Sequence, residues 1–365
     1  MAYAPCDRLP NWEAGVWPQT RNRWVAEGLD PRRFHFDWFS GEKALGMDVR
    51  EFIQFNGDLV PPFEQEVLEE DDETVVFRDT KGRVRRALKE GSVGEGRMCM
   101  DTYLHHAVQT PDDWQQIKKR YEPGDTRRYE PNWREVRVKG WHERRHPLIF
   151  APNMSTMGFY WFARELMGTE NLSFAWYDHP NMIHDMMAWW EYFLIEAARP
   201  ILEVTSVDYV CLAEDLSMKT GPLLSPSTYR QFIYPHLRRV IDFLKSKGTR
   251  YVCIDTDGNP EPLIPMMLDA GVDAMWPLER TAGQDPMRLR RAFGRTLHLW
   301  GGVDKRELAK GPAAIDAHLK TLVPMIEEGG FIPTVDHSVP PDVSWEDFQS
   351  YMERKQDLLS GRSWP

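Results

Sequence analysis

Residues 251–258 read YVCIDTDG, an apolar run that ends in two carboxylates and a glycine. A short apolar run bounded by turn-forming residues is typical of a buried β-strand. Side chains on a strand alternate between its two faces, so Asp255 and Asp257 are predicted to point the same way. Two neighbouring carboxylates either share a proton, with the pKa of one raised, or hold a cation. The segment therefore predicts an acidic site where this strand ends, although an Asx-type turn before the next helix gives the same letters.

Five further apolar runs share this character, at residues 148–151, 209–212, 274–276, 297–300 and 331–335. Between the runs lie stretches with helical patterning, at residues 180–202, 227–247, 261–270, 285–293 and 312–328. Strands that alternate with helices indicate parallel strands joined by crossovers. About six such units are visible, and one or two more are expected in the first third of the chain. The pattern predicts an α/β fold, a (β/α)8 TIM barrel, with a doubly wound sheet as the alternative.

The first 145 residues follow a different pattern. Residues 74–77 are strand-like and Thr80-Lys81-Gly82 is a turn, which predicts a β-hairpin. We therefore expect residues 1–145 to form an N-terminal extension that packs on the barrel, and residues 146–365 to form the main part of the catalytic barrel. Capping the barrel, closing over substrate and forming a homodimer contact are the three roles open to the extension.

Composition excludes some classes of protein. The chain has 365 residues and a formal net charge of −11, which argues against nucleic-acid binding. Its four cysteines show no metal-binding spacing or disulfide framework, and residues 1–20 contain no signal-peptide core. Since no apolar stretch is long enough to span a bilayer, we expect a cytoplasmic protein with no membrane contact. The 15 tryptophans predict large aromatic side chains near a pocket as well as in the core.

A polar or acidic residue follows every predicted strand, where a parallel barrel carries its chemistry. Helix capping explains single cases of this pattern, but it explains all six together less well. The predicted catalytic residues are Asp257, His337, Glu214 and Asp336, and Asp336 is placed to orient the imidazole of His337. The predicted substrate-binding residues are Asn153, Asp215, Glu279, Lys305 and Tyr160.

Several motifs follow one another in a distinctive order and spacing from about Pro147 onward, namely Glu214-Asp215-Leu216 through Leu224-Ser225-Pro226 with Phe232 and Pro235 downstream, Asp257-Gly258-Asn259, Gly301-Gly302-Val303-Asp304, and Gly329-Gly330-Phe331-Ile332. In this order and spacing the chain resembles the uroporphyrinogen decarboxylase superfamily. The decarboxylase branch carries a basic N-terminal signature that this chain lacks. An acidic pocket would also repel a polycarboxylate porphyrinogen. The resemblance is therefore nearer to the corrinoid-dependent methyltransferase branch.

That branch binds zinc through a His-x-Cys pair and a later Cys. The corresponding positions here are Asp255, Asp257 and His337, which the resemblance implies as ligands for zinc or another divalent metal. Two carboxylates and an imidazole make a harder ligand set than thiolates, so a thiol substrate is not expected. The same three residues, without a metal, are also suited to acid–base catalysis.

The resemblance implies methyl transfer from a small O- or N-methylated substrate, such as a methoxyaromatic compound or a methylamine. The acceptor would be a corrinoid (cobalamin) on a partner protein, because this chain has no Asp-x-His-x-x-Gly corrinoid signature. A metal-independent decarboxylase or lyase that acts on a small molecule is the alternative. A non-catalytic binding module is a third hypothesis, and clustered strand-end acids count against it.

Overall fold

The computed structural model describes residues 3, 7–33, 39–89, 92–93, 96–97, 101–151 and 155–361. Its centre is a parallel sheet. The strands of this sheet are β1 (Glu51–Phe52), β8 (Leu148–Ile149), β9 (Thr156–Met157), β10 (Tyr209–Ala213), β13 (Tyr251–Asp255), β14 (Ala274–Trp276), β15 (His298–Val303) and β16 (Phe331–Val335). They pair in the order β1-β8-β10-β13-β14-β15-β16, and β9 pairs with β10 beside this path. All six apolar runs form strands of this sheet, and the first third of the chain supplies β1.

Helices connect and flank these strands, which makes the fold α/β and TIM-barrel-like, as predicted. The helices are α1 (Pro18–Ala26), α2 (Pro111–Lys118), α3 (Trp133–Glu143), α4 (Phe159–Met167), α5 (Thr169–Asp178), α6 (Pro180–Leu202), α7 (Pro226–Phe232), α8 (Tyr234–Ser246), α9 (Ile264–Ala270), α10 (Pro286–Phe293), α11 (Lys305–Leu308), α12 (Pro312–Glu328) and α13 (Trp345–Leu359). Short 3-10 helices span Pro31–Arg33, Lys43–Leu45, Thr126–Arg128, Glu261–Leu263, Arg280–Ala282 and Gly294–Thr296. Within the described ranges, no helix has the length and apolar character needed to cross a bilayer.

Two helix predictions need correction, and proline is the cause in both. Residues 227–247 form two helices that meet at Ile233, because Pro235 lacks an amide hydrogen and is suited only to the first turn of a new helix. Residues 261–270 begin as a 3-10 turn and become α9 only at Ile264, immediately before Pro265. The helices over residues 180–202 and 312–328 have the predicted bounds.

Side chains alternate between the two faces of each strand, and each face contributes to a different buried cluster. On β10, Tyr209 and Cys211 pack in one cluster, whereas Val210 and Leu212 pack in another. The first cluster also contains Trp276 and other inward-facing residues of neighbouring strands, and it fills the barrel interior. The second lies between the strands and the surrounding helices.

The N-terminal part adds an antiparallel sheet in the order β2-β3-β4-β7, which confirms the predicted hairpin. Its strands are β2 (Glu66–Glu70), β3 (Thr74–Arg78), β4 (Val84–Leu88) and β7 (Thr102–His105). Two smaller pairs join β5 (Ser92–Val93) to β6 (Gly96–Arg97), and β11 (Ser217–Met218) to β12 (Gly221–Pro222). A parallel bridge between Val16 and Val339 brings the start of the chain to the carboxyl end of β16. The proposed domain boundary at residue 145 stays a prediction.

Candidate active site

A cavity of about 770 Å³ lies at the carboxyl ends of the parallel strands. This is the edge of a parallel barrel at which active sites are found. The strand ends and the loops after them contribute Ser155, Asp215, Asp255, Asp257, Trp276 and His337. The N-terminal part contributes Trp17, Phe55, Asp58 and Lys81. The cavity is therefore formed by the barrel and the N-terminal part together.

Asp255, the last residue of β13, lies in this cavity with Ala213 and Trp276 as its neighbours on the adjoining strands. The Ser155 hydroxyl donates a hydrogen bond to its Oδ2 over 2.9 Å. Burial raises the pKa of Asp255 well above its usual value, and the nearby charges of Asp215 and Asp257 raise it further. Both effects favour the neutral carboxylic acid form of Asp255 over its carboxylate.

His337 and Asp257 form an ion pair at the wall of the cavity. His337 Nε2 lies 3.5 Å from Asp257 Oδ2, and the imidazole stacks on the indole of Trp17 with ring centroids 5.6 Å apart. Burial opposes the charged imidazole, but the hydrogen bond and the negative charge of Asp257 outweigh it and raise the pKa of His337. Asp257 thus favours the protonated form of the His337 imidazole.

Asp215 is held in a left-handed backbone conformation, with φ of 44°. Arg164 on α4 holds it at two points, since one guanidinium nitrogen donates to the Asp215 carbonyl and another to its carboxylate, each over 2.9 Å. Burial nevertheless raises the pKa of Asp215. A strained backbone of this kind at a cavity wall is typical of functional sites, where the surrounding contacts maintain it.

Glu214 has a different position from its neighbour Asp215. Its side chain is fully buried and accepts hydrogen bonds from the backbone N–H groups of Phe159 (3.0 Å) and Tyr160 (2.6 Å) at the start of α4. Burial raises the pKa of Glu214 to about 7, although these donors favour its charged form. Neither Glu214 nor Tyr160 lines the cavity. This placement favours a structural role at the helix N-terminus over the predicted catalytic and substrate-binding roles.

A cluster of three charged residues, Glu279, Lys305 and Asp336, does not belong to the cavity lining. Lys305 Nζ lies 3.5 Å from both Glu279 Oε1 and Asp336 Oδ1. Glu279 also accepts a hydrogen bond from the backbone N–H of Gly258 over 2.9 Å. Gly258 has φ of 75°, and a Cβ there would come within 2.6 Å of the Met218 carbonyl oxygen, so only glycine is accommodated. Through Glu279 this cluster fixes the loop that carries Asp257. Asn153, another predicted substrate-binding residue, lies outside the described residues.

Asp255, Asp257 and His337, the metal ligands that the resemblance implies, all border one cavity. Across the described ranges, no three His, Cys, Asp or Glu side chains are grouped to hold a metal ion. A divalent metal at Asp255, Asp257 and His337 stays a prediction, and the observed geometry is better suited to proton transfer and electrostatics.

Sequence reasoning missed the aromatic walls of the cavity and its N-terminal contributors. Rings line the cavity at Trp17, Phe55, Trp161, Trp190, Phe193 and Trp276. The high tryptophan content predicted rings near a pocket, but it did not say which ones. A signal was present in Trp17-Pro18, a large aromatic residue fixed at the start of a helix. Lys81 was identified only as a turn residue, yet this turn brings its side chain to the cavity wall.

Comparison with known proteins agrees with this architecture. The sequence pattern of the uroporphyrinogen decarboxylase (URO-D) family matches residues 160–357, more than half of the chain. A solved structure of a methyltransferase from Methanosarcina mazei superposes with a TM-score of 0.59 at 14% identity, covering 97% of this chain and 95% of that one. A B12-independent methionine synthase from Shewanella sp. W3-18-1 gives a TM-score of 0.44 at 13% identity, covering 97% and 96%. No curated protein sequence matches the chain. On its fold and its family match, the chain belongs to the uroporphyrinogen decarboxylase family.

Proposed function

We propose that this chain is a methyltransferase that takes a methyl group from a small O- or N-methylated molecule. The observation that carries the proposal is the cavity itself, in which aromatic rings surround Asp255 and the Asp257–His337 pair. Aromatic walls suit a compact apolar substrate, and the acidic residues suit the polar heteroatom that bears its methyl group. The fold shared with the Methanosarcina mazei methyltransferase supports the same class of reaction.

The acceptor in this proposal is a corrinoid carried by a partner protein, and we expect the pair to act in the cytoplasm. Such a corrinoid, when its cobalt is reduced, supplies the electron pair that takes the methyl group. The chain's own residues bind and polarise the methylated heteroatom. Protonated Asp255 is suited to donate a hydrogen bond to an ether oxygen, and ionised Asp255 is suited to attract a methylated ammonium group. His337 holds its proton beside Asp257, where it is available to a leaving group.

A decarboxylase or lyase reaction is the second candidate, and the proton-holding groups favour it specifically. After loss of carbon dioxide a carbanion needs a proton, and Asp255 or His337 is suited to supply it without a metal. The two candidates differ in whether an acceptor is required. Methyl transfer needs one, whereas decarboxylation proceeds without it.

The test uses the purified full chain with added cob(I)alamin and a panel of methoxyaromatic compounds, methylamines and small carboxylic acids. Mass spectrometry would measure demethylated product, and gas analysis would measure carbon dioxide. We expect demethylation of at least one methylated compound, and only in the presence of the acceptor. The activity should be lost in Asp255→Asn but kept in Asp72→Asn, a change on the exposed turn between β2 and β3. Carbon dioxide release without acceptor, together with no methyl transfer, would favour the lyase and overturn the methyltransferase.

A further inference from the structure

We infer that the methylated group bound in this cavity is an ammonium cation, carried by a small quaternary or protonated tertiary N-methyl amine. The inference rests on the proposed function for the transfer step and adds the class of substrate. Two features of the described residues support it, namely a carboxyl in the cavity without an ion-pair partner and an aromatic ring in the same lining with no ring or cation stacked on it, and the charge balance of the transfer agrees with them.

The carboxyls of the cavity differ in whether they have a cationic partner. Three are paired: Asp58 with Lys81 over 3.2 Å, Asp215 with Arg164 over 2.9 Å, and Asp257 with His337 over 3.5 Å. Asp255 receives a hydrogen bond from the Ser155 hydroxyl instead, and no Lys, Arg or His of the described ranges forms an ion pair with it. A ligand that supplies one positive charge would complete the pairing within the cavity.

The aromatic walls favour the same class of ligand. The face of an aromatic ring carries negative charge density and attracts cations, most strongly when the cation is poorly hydrated, as a methylated ammonium is. The Trp17 ring already stacks on His337, and Trp190 is stacked between Phe162 and Phe193. Trp161 also lines the cavity, and within the described part of the chain no ring or cationic group is stacked on its indole. Its indole face is therefore available to a ligand.

The transfer chemistry balances without a proton for a quaternary substrate. The bond between nitrogen and the methyl carbon breaks, and its electron pair stays on nitrogen, which leaves as a neutral tertiary amine. A reduced acceptor, as the proposed function requires, would supply the electron pair for the new bond to the methyl carbon. The positive charge leaves the substrate with the methyl group, and the lone pair left on nitrogen takes up a proton from solvent only after the transfer. An ether substrate would instead need a proton on its leaving oxygen.

The test compares choline with 3,3-dimethylbutan-1-ol, its neutral isostere, by isothermal titration calorimetry on the full chain. We expect choline to bind at least about tenfold more tightly than the alcohol, because only choline carries the charge. In Asp255→Asn this preference should fall to near unity. In Trp161→Leu the affinity for choline should fall by about five- to thirtyfold, and the affinity for the alcohol by less. Asp72→Asn removes one negative charge on the exposed turn between β2 and β3 and should leave the preference for choline unchanged.

Equal binding of the two probes by the wild-type protein, or no saturation by choline below about 10 mM, would overturn the inference. If Asp255→Asn does not fold, as judged by its melting transition, Trp161→Leu tests the same point through the aromatic wall. Transfer from a methoxy compound alongside equal probe binding would overturn the cation class and leave the proposed function intact. Selective choline binding without methyl transfer to any acceptor would support the cation site and count against the proposed function.

Discussion

Two carboxyl groups of this fold differ in their partners: that of Asp255 in the cavity, and that of Glu13, which pairs with Lys355 and so forms a buried anchor between the N-terminal segment and α13. Glu13 at the anchor is 1% exposed and Lys355 is completely buried, with Lys355 Nζ 2.6 Å from Glu13 Oε1. The Tyr351 hydroxyl donates to the same oxygen over 2.5 Å, and the Val335 backbone N–H donates to the other over 2.8 Å. Asp255 in the cavity has a serine hydroxyl and no ion-pair partner among the described residues.

The difference separates stability from function. A buried charge costs free energy unless it is paired and hydrogen-bonded, and at the anchor each oxygen of Glu13 has a partner. That anchor holds the N-terminal segment against α13, and the same segment delivers Trp17 to the cavity. Among the described residues, Asp255 in the cavity has no comparable ion pair, and the cationic ligand that we infer would supply one.

The largest expected effect comes from breaking the anchor. Lys355→Met leaves Glu13 buried without its cation, and we expect the free energy of unfolding to fall by about 3–5 kcal/mol. Urea denaturation followed by circular dichroism would measure the change. Lys139→Met is the matched control, since Lys139 is exposed and lies 3.9 Å from Glu143, and it should change stability by less than about 0.5 kcal/mol. Equal stability of the two variants would contradict a stabilising role for the anchor.

The next effect concerns Glu214, whose pKa burial raises to about 7 from a usual value of 4.5. The folded state binds this proton more tightly than the unfolded state, so its contribution to stability is complete below pH 4.5 and is lost as the pH rises to about 7. The size of the loss is about 3 kcal/mol. Burial also raises the pKa of Asp215, Asp255 and Asp336, so these acids act in the same direction.

Glu214→Gln isolates the share that belongs to this residue. Unfolding free energies measured between pH 5 and 8 should fall less steeply in the variant than in the wild type. The amide loses one acceptor for the helix N-terminus, which lowers stability by the same amount at every pH and leaves the slope unaffected. Parallel pH profiles for the two proteins would show that Glu214 does not titrate in this range.

The third effect is on activity rather than stability. Asp255→Asn keeps the size of the side chain but removes both its acidity and its potential charge, and we expect kcat/KM for methyl transfer to fall by about 100-fold. Its free energy of unfolding should change by less than about 1 kcal/mol, because the amide has the same shape and its oxygen still accepts the hydrogen bond of the Ser155 hydroxyl. A loss of stability as large as that of Lys355→Met would assign Asp255 to the framework instead of the site.

The sequence predicted the strand framework well because it depends on local patterns. Short apolar runs with turn residues after them identify buried strands from a few neighbouring positions, as residues 251–258 illustrate. The same reasoning places Asp255 and Asp257 at a strand end, and both line the cavity. It does not identify β1, since two residues leave too short a pattern.

The sequence did not distinguish the strand-end residues that line the cavity from those that lie outside its lining. Glu214 and Asp215 are adjacent in the sequence, yet one binds the start of α4 and the other faces the cavity. Asp215 also has a left-handed backbone, and a residue other than glycine gives little local warning of such a conformation. Likewise Trp17, Phe55 and Lys81 reach the cavity through long-range packing that no short pattern encodes.

The smallest expected effect is on the ion pair of the cavity wall. Asp257→Asn removes the charge that stabilises the protonated imidazole, so the pKa of His337 should fall, as NMR titration of its ring protons would measure. Stability should change by less than about 1 kcal/mol, because the Asp257 side chain is 40% exposed and solvent screens the pair. Trp17→Leu is the comparison variant, since it removes the stacked ring and leaves the charge. If it lowered the pKa of His337 as much as Asp257→Asn does, stacking rather than the carboxylate would hold the proton, and the cavity wall would depend on the N-terminal segment for its charge state as well as for its shape.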